Sequence, residues 1–100
     1  MAEDLQLARA VSEAALATNG VYSLGAGRYV EAATYGAGDK VTGVVVGPDE
    51  VRVHIVLRYP LPEPIPSLVE RIREKVRPRA GGRATTVVVE DLEVDQDENL

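Results

Sequence analysis

The feature that most constrains the fold is the alternation of apolar and polar residues in the segment 51–59. Such a period of two is typical of a β-strand that buries one face and leaves the other accessible. The apolar series is Val51, Val53, Ile55, Leu57 and Tyr59, and the series between them is Arg52, His54, Val56 and Arg58. We therefore expect a strand whose first series packs into the core of a small sheet.

This strand is the second half of a predicted β-hairpin. The turn at residues 47–50 reads GPDE, in which Pro48 pre-sets the first corner and Asp49 can close it. This turn length predicts a register that places Gly43 opposite His54. The predicted core-face pairs are Val46 with Val51, Val44 with Val53 and Thr42 with Ile55.

Helical periodicity is present on both sides of the hairpin. Residues 3–19 place a mostly apolar stripe on one side of a helical wheel, and Gly20 suits the left-handed position that follows a helix. A second helix is predicted from about Ile65, because the prolines of segment 60–66 delay helix formation, and it ends before Pro78. Its apolar stripe is Ile65, Leu68, Val69, Ile72 and Val76.

Two further strands complete the expected sheet. Residues 85–94 carry apolar side chains on both faces and predict a final strand, which runs parallel to the second hairpin strand because a helix connects the two. Residues 28–35 predict a short edge strand between glycine-bearing loops. The predicted fold is α+β: a single small domain with the order helix, short strand, β-hairpin, helix and strand. Both helices are expected on one face of a mixed three- to four-stranded sheet.

Composition bounds the class of protein. One hundred residues suit one domain, which we assign to residues 1–94, followed by an acidic frayed tail at residues 95–100. The chain has no cysteine, which excludes disulfides, thiolate-bound metals and cysteine nucleophiles and fits a reducing cytoplasm. Residues 1–19 lack the features of a signal peptide, and no segment reaches the ~20 apolar residues of a membrane span. We expect a cytoplasmic protein without direct membrane insertion.

His54 is the only histidine of the chain and therefore the first candidate for chemistry. A metal ligand or a general base needs partners, and the sequence offers His54 no second histidine, no cysteine and no carboxylate nearby in the chain. We interpret it as a half-exposed strand residue. The sequence accordingly predicts no catalytic residue, no cofactor and no metal site, and a protein that is not an enzyme.

The second helix carries the basic cluster that nucleic-acid binding would need. Its residues Arg71, Lys75 and Arg79 form the alternative nucleic-acid face. Glu70 and Glu74 lie between the basic flanks of the same helix, and the net charge of −5 opposes nonspecific attraction to nucleic acid. A solvated, self-compensated helix surface is the favoured interpretation, and a nucleic-acid-binding module is the alternative function.

Four segments resemble the alkaline shock protein family, in the short form found in high-GC Gram-positive bacteria. They are GVYSL from Gly20, ATYGAGDKVTGV from Ala33, VRVHIVLRYP from Val51 and VVVEDL from Val87. The resemblance covers residues 5–94. It implies a non-enzymatic protein of the bacterial envelope or general stress response, peripheral at the inner face of the cell membrane, to which a membrane-anchored family member recruits it. It also implies self-association into a homo-oligomer.

A protein partner needs an accessible surface, and the second face of the hairpin offers a mixed apolar and charged one. The residues of this candidate partner face are Val41, Val45, Arg52, His54, Val56 and Arg58. The competing interpretation is that segment 21–39 of the same chain covers this face. The chain departs from the family in its proline-rich segment 60–66 and in lacking a long polar tail, so we expect no tail-dependent activity.

Overall fold

The computed structural model describes residues 2–94, and its first element is helix α1, Ala2–Leu16. The helix buries most of the predicted stripe, but Leu16, which belongs to the stripe, is exposed, and the helix ends before the predicted limit at residue 19. Its buried residues are Leu5, Ala8, Val11 and Ala15. Gly20 has φ of +102°, which confirms the left-handed conformation predicted for it. An added Cβ at Gly20 would lie 2.9 Å from Leu68 Cδ2, so both conformation and packing require glycine there.

The described residues form six strands in two sheets. They are β1, Val21–Leu24; β2, Ala33–Gly36; β3, Asp39–Thr42; β4, Val44–Val46; β5, Glu50–Tyr59; and β6, Ala84–Val94. The alternating segment is β5, at the centre of the main sheet. One edge of β5 pairs in parallel with β6, and the other edge pairs antiparallel with β4 and then with β1. The predicted mixed sheet and parallel final strand are confirmed.

The predicted hairpin register is correct near the turn and wrong beyond it. Val46 pairs with Val51 as expected, but Thr42 pairs with Ala33 rather than with Ile55. The reason is Gly43, whose φ of +96° turns the chain between β3 and β4, so that β4 pairs with β5 and β3 pairs with β2. The strand β1 takes over the edge of β5 from this point, and Leu24 lies opposite Ile55.

The strands β2 and β3 form a separate two-stranded sheet. The predicted edge strand at residues 28–35 is therefore correct only from Ala33 onward, and residues 28–32 form a loop. The buried side chain of Thr34 joins the two sheets: its hydroxyl donates to Val44 O at 2.6 Å and accepts from Val46 N–H at 3.2 Å. The small sheet is thus fixed to the main sheet through β4.

The second helix is α2, Ile65–Val76, and a 3₁₀ turn at Arg77–Arg79 follows it. Pro64 precedes the helix and Pro66 lies in its first turn, where a missing N–H costs no helical hydrogen bond. The predicted stripe is confirmed at its centre, and its fully buried members are Leu68, Ile72 and Val76. Ile65, the first residue of the stripe, is exposed.

Both helices pack on one face of the main sheet, as predicted. The fully buried side chains of this core include Val11 from α1, Ile72 from α2 and Ile55 from β5. Each large aliphatic side chain removed from water contributes about 1.5 to 3 kcal/mol to the free energy of folding. Burial of the core series therefore determines which side chains of β5 point away from the helices. The predicted acidic tail at residues 95–100 lies outside the described residues.

Candidate functional site

The sheet face opposite the two helices is referred to as the outer face. Because side chains alternate along β5, the series between the core residues points to this face. It comprises Arg52, His54, Val56 and Arg58, and Val45 joins it from β4 opposite Arg52. The guanidinium of Arg58 stacks on the ring of Tyr22 at 5.0 Å and closes one end of the face.

A cleft of about 530 Å³ lies between the outer face and the loop at residues 28–32. Its floor includes Val45, Arg52 and His54 from β4 and β5 and Val88 and Glu90 from β6, and its wall includes Arg28, Tyr29 and Glu31. This volume lies within the range of pockets that bind small molecules or single side chains of a partner. Segment 21–39, which the competing interpretation places over this face, therefore covers it only in part, because this cavity lies between them.

His54 and Glu90 form a hydrogen-bonded pair on the floor of the cleft. His54 Nδ1 lies 2.7 Å from Glu90 Oε2, and the side chains are 14% and 10% exposed. The carboxylate accepts the bond, so Nδ1 carries a proton and neutral His54 keeps its lone pair on Nε2. Nε2 is buried and has no hydrogen-bond partner among residues 2–94. The pair is therefore a fixed polar group on a floor that also carries the apolar side chains of Val45 and Val88.

A β-bulge places Glu90 beside His54. Ile55 pairs with Val89, whereas the next residue, Val56, pairs with Asp91, so Glu90 is an extra residue in β6. The bulge keeps the sheet faces in order, because without it Asp91 would lie on the core face beside Leu57. The bulge keeps Asp91 out of the core, and it also places the carboxylate of Glu90 beside His54.

A hydrogen bond from Arg28 and the space left by Gly25 help to position Glu90. Arg28 Nη2 donates to the main-chain carbonyl of Glu90 at 2.8 Å, which ties the loop to the bulge. Gly25 leaves room for the carboxylate, because an added Cβ would lie 2.2 Å from Glu90 Oε1. The main-chain N–H of Gly25 in turn donates to His54 O at 2.8 Å. Glu90 therefore links β5, β6 and the loop at one point.

The rim of the cleft is apolar and exposed at one end and charged at the other. Tyr29 and Val30 are 95% and 82% exposed. Glu31 accepts hydrogen bonds from Lys40 Nζ at 2.7 Å and from the hydroxyl of Tyr35. The bond from Lys40, and then that from Tyr35, lowers the pKa of Glu31 below its ordinary value, and the same carboxylate raises the pKa of both partners. This cluster attaches the loop to β2 and β3.

Five of the six predicted face residues lie together on the outer face. Val45, Arg52 and His54 line the cleft, and Val56 and Arg58 lie farther along β5. Val41 does not belong to the face: it lies in β3 and packs against the core. The predicted register placed Val41 in the strand that pairs with β5. The turn at Gly43 instead separates β3, and Val41 with it, from the main sheet. His54 is also more deeply buried than a half-exposed strand residue.

The alternative nucleic-acid face is partly neutralised. Arg71 donates from Nε to Glu63 Oε2 at 2.6 Å and from Nη2 to Oε1 at 3.3 Å, and this pair lowers the pKa of Glu63 and raises that of Arg71. Lys75 and Arg79 make no ion pair with another side chain of residues 2–94. Two uncompensated cations are fewer than the several phosphate contacts that nucleic-acid binding uses.

The residues that sequence reasoning missed are Glu90, Arg28 and Tyr29. Glu90 is 36 positions from His54, so proximity in the chain gives no sign of the pair. The adjacent acids Glu90 and Asp91 follow three valines in β6, and two acids in succession within an otherwise apolar stretch are a weak signal for a bulge. No comparable signal marks the loop residues.

Comparison with protein-family models, with curated proteins and with solved structures finds no match to this chain. The resemblance to the alkaline shock protein family therefore stays a prediction from the four segments. No group of three or more histidine, cysteine or acidic side chains within residues 2–94 is arranged to hold a metal ion. Within the same residues, neither helix has the length and apolar character needed to cross a membrane.

Proposed function

We propose that this chain is a non-enzymatic protein-interaction module that binds a protein partner through the outer face and its cleft. The observation that carries the proposal is the cleft. Both helices lie on the other side of the sheet, so the outer face keeps an open cavity with a fixed polar pair in its floor. Protein interfaces favour such a combination of apolar surface with tyrosine and arginine, here Tyr29, Arg28 and Arg52.

The biological setting of the proposal is the bacterial envelope or general stress response. Its support is the resemblance of the four sequence segments to the alkaline shock protein family. In this setting a membrane-anchored partner holds the module at the inner face of the cell membrane. Self-association with further copies of the chain belongs to the same proposal.

The experiment that tests the partner face is capture from native lysate with tagged protein. The informative variant carries Val45→Glu and Arg52→Glu, which place two carboxylates on the cleft floor without touching the helix side of the sheet. The control carries Lys75→Glu and Arg79→Glu, which reverse two exposed charges: Lys75 lies in α2 and Arg79 in the 3₁₀ turn that follows it. Capture that is lost only in the first variant supports the proposal, and capture that the first variant retains overturns it.

A nuclease arm of the same experiment separates the alternative function. Partner recovery that survives nuclease treatment supports a protein interface. Recovery that disappears with nuclease, and in the variant Lys75→Glu and Arg79→Glu, would move the function to nucleic-acid binding. In that case the affinity must also fall steeply with salt, because phosphate contacts release counterions.

A further inference from the structure

The strand β6 leaves one edge of the main sheet open. It pairs with β5 alone, and no other strand formed by residues 2–94 pairs with it. The N–H of Ala84 donates to Asp49 O at 3.0 Å, so the peptide groups of Ala84 face β5. By alternation the peptide groups of Val87 and Val89 face away from β5. Thr85 follows the same alternation, but its carbonyl already accepts from Arg73 Nε at 3.3 Å, so α2 covers the edge at this residue.

The bulge gives this edge two chemically distinct sides. Val89 and Leu92 lie opposite core residues of β5 and therefore on the helix side, yet they are 37% and 38% exposed. Asp91 and Glu93 lie opposite Val56 and Arg58 and therefore on the outer face. Apolar surface thus runs along one side of the edge, and carboxylates run along the other.

The two carboxylates have no cationic partner among the described side chains. Arg58 lies directly opposite Glu93 but stacks on Tyr22 instead of forming an ion pair. Asp91 accepts only from the N–H of Leu92, at 2.8 Å. An added strand could therefore supply cations on the outer side and apolar groups on the helix side.

We propose that β6 binds an extended segment of the protein partner in which apolar side chains alternate with lysine or arginine. Main-chain pairing would supply affinity, and the two sides of the edge would supply specificity. The inference rests on the proposed function, because Val88 and Glu90 of β6 also line the cleft. A second copy of β6 fits poorly, since Ala84–Val94 contains no lysine or arginine and would bring like charges together.

The direct test uses an acetylated, amidated decapeptide of alternating lysine and valine. Its first control has the same sequence with an N-methyl group on every residue, which keeps the charge but removes the N–H donors from both edges. Its second control has the same composition in two blocks. The expected result is binding of the first peptide only, with amide exchange at Val87 and Val89 slowed by about tenfold or more. Equal binding of the N-methylated peptide, or no protection in β6, would overturn the proposal.

The charge argument is tested on the protein side. The variant with Asp91→Lys and Glu93→Lys should weaken peptide binding by about tenfold or more, whereas Glu74→Lys on α2 should have the smaller effect of a change in net charge. Equal losses of peptide affinity in the two variants would overturn the inference that lysine or arginine of the bound segment contacts Asp91 and Glu93. Both sites are exposed or half-exposed, so the fold is expected to tolerate these changes.

Lysate capture distinguishes failure of this inference from failure of the proposed function. Loss of the captured partner in the variant with Asp91→Lys and Glu93→Lys supports pairing at β6 only together with amide protection of Val87 and Val89 by the unmodified peptide. Capture that survives these changes but is lost with Val45→Glu and Arg52→Glu overturns the edge proposal and leaves the outer face as the partner site. Capture that survives the changes at Val45 and Arg52 overturns the proposed function itself.

Discussion

His54 Nδ1 and Glu90 Oε2 lie 2.7 Å apart, between neighbouring parallel strands, on the floor of a cleft that the helices do not cover. The pair depends on one extra residue in β6. Without the bulge, β6 would carry Asp91 onto the core face, and the strand would lose its match to β5. The bulge that keeps Asp91 out of the core therefore also places the His54–Glu90 pair on the outer face.

The pair should contribute measurably to stability. Glu90→Ala leaves the Nδ1–H of His54 buried without an acceptor, and we expect it to lower the free energy of unfolding by about 2 to 3 kcal/mol. Glu93→Ala is the matched control, because Glu93 is an acid on the same strand and face, and it should cost less than about 0.5 kcal/mol. Urea unfolding measures both values. Equal losses would contradict a role for the pair.

The tautomer of His54 can be read without interference, since the chain has no other histidine. We expect the ¹⁵N chemical shifts of the neutral ring to show a protonated Nδ1 and an unprotonated Nε2. Glu90→Gln should keep this tautomer through its amide oxygen, whereas Glu90→Ala should release it. A ring protonated at Nε2 in the unsubstituted protein would show that the carboxylate does not orient it.

Gly25 should be coupled to the pair through the space it leaves for Glu90. A Cβ at position 25 would lie 2.2 Å from Glu90 Oε1, and the carboxylate is a flexible group that can move away. We expect Gly25→Ala to displace Glu90 and to shift the ring signals of His54. In a Glu90→Ala background the same substitution should shift these signals less, because it has no carboxylate to displace. Gly47→Ala, whose nearest contact would be 3.3 Å, is the control and should leave the signals unchanged.

Truncation of neighbouring residues of β5 should lower the stability by different amounts. Ile55 is fully buried in the core, and Ile55→Ala should lower the free energy of unfolding by about 2 to 5 kcal/mol. Val56 points to the outer face and is half-buried, so Val56→Ala should cost less than about 1.5 kcal/mol. The reverse order in thermal or urea unfolding would mean that the faces of β5 are misassigned.

The attachment of the loop at Glu31 should be lost in acid. The hydrogen bonds from Lys40 and Tyr35 hold the pKa of Glu31 below its ordinary value of 4.5. A lowered pKa stabilises the folded form above the unfolded pKa, and this stabilisation disappears as the pH falls through the folded pKa. Amide exchange in residues 28–32, corrected for intrinsic rates, should therefore accelerate below about pH 4.5.

Glu31→Gln is the control for this acid response. The variant should show faster exchange in the loop at neutral pH, and the additional acceleration assigned to Glu31 should be absent in acid. An acid response of the same size in Glu31→Gln would assign the transition to other carboxylates.

The sequence predicts the parts of the fold that depend on periodicity. The buried centre of α2 and the parallel β6 are confirmed. The core series of β5 is confirmed from Val51 to Leu57, but Tyr59, which was predicted with it, is exposed at the end of the strand. The same reasoning fails at Gly43, because a single positive φ ends one strand and begins another. It missed β1 because four residues between glycine-bearing loops carry too short a pattern.

The candidate site was only partly predictable. Five of the six proposed face residues share the outer face, because alternation along β5 determines where they point. Glu90 depends on a parallel pairing over 36 positions and on the bulge, neither of which local spacing describes. The cleft depends on how the loop at residues 28–32 folds back over the sheet, which is a tertiary property.

The most direct test of the partner face is site-specific cross-linking at the rim of the cleft. A photoreactive p-benzoylphenylalanine replaces Tyr29, which is almost fully exposed, and a second protein carries it in place of Lys75 on α2. We expect a partner adduct from position 29 that disappears when Val45→Glu and Arg52→Glu are added, and no such adduct from position 75. An adduct only from position 75, or one at position 29 that is indifferent to the cleft-floor changes, would contradict the outer face as the binding surface.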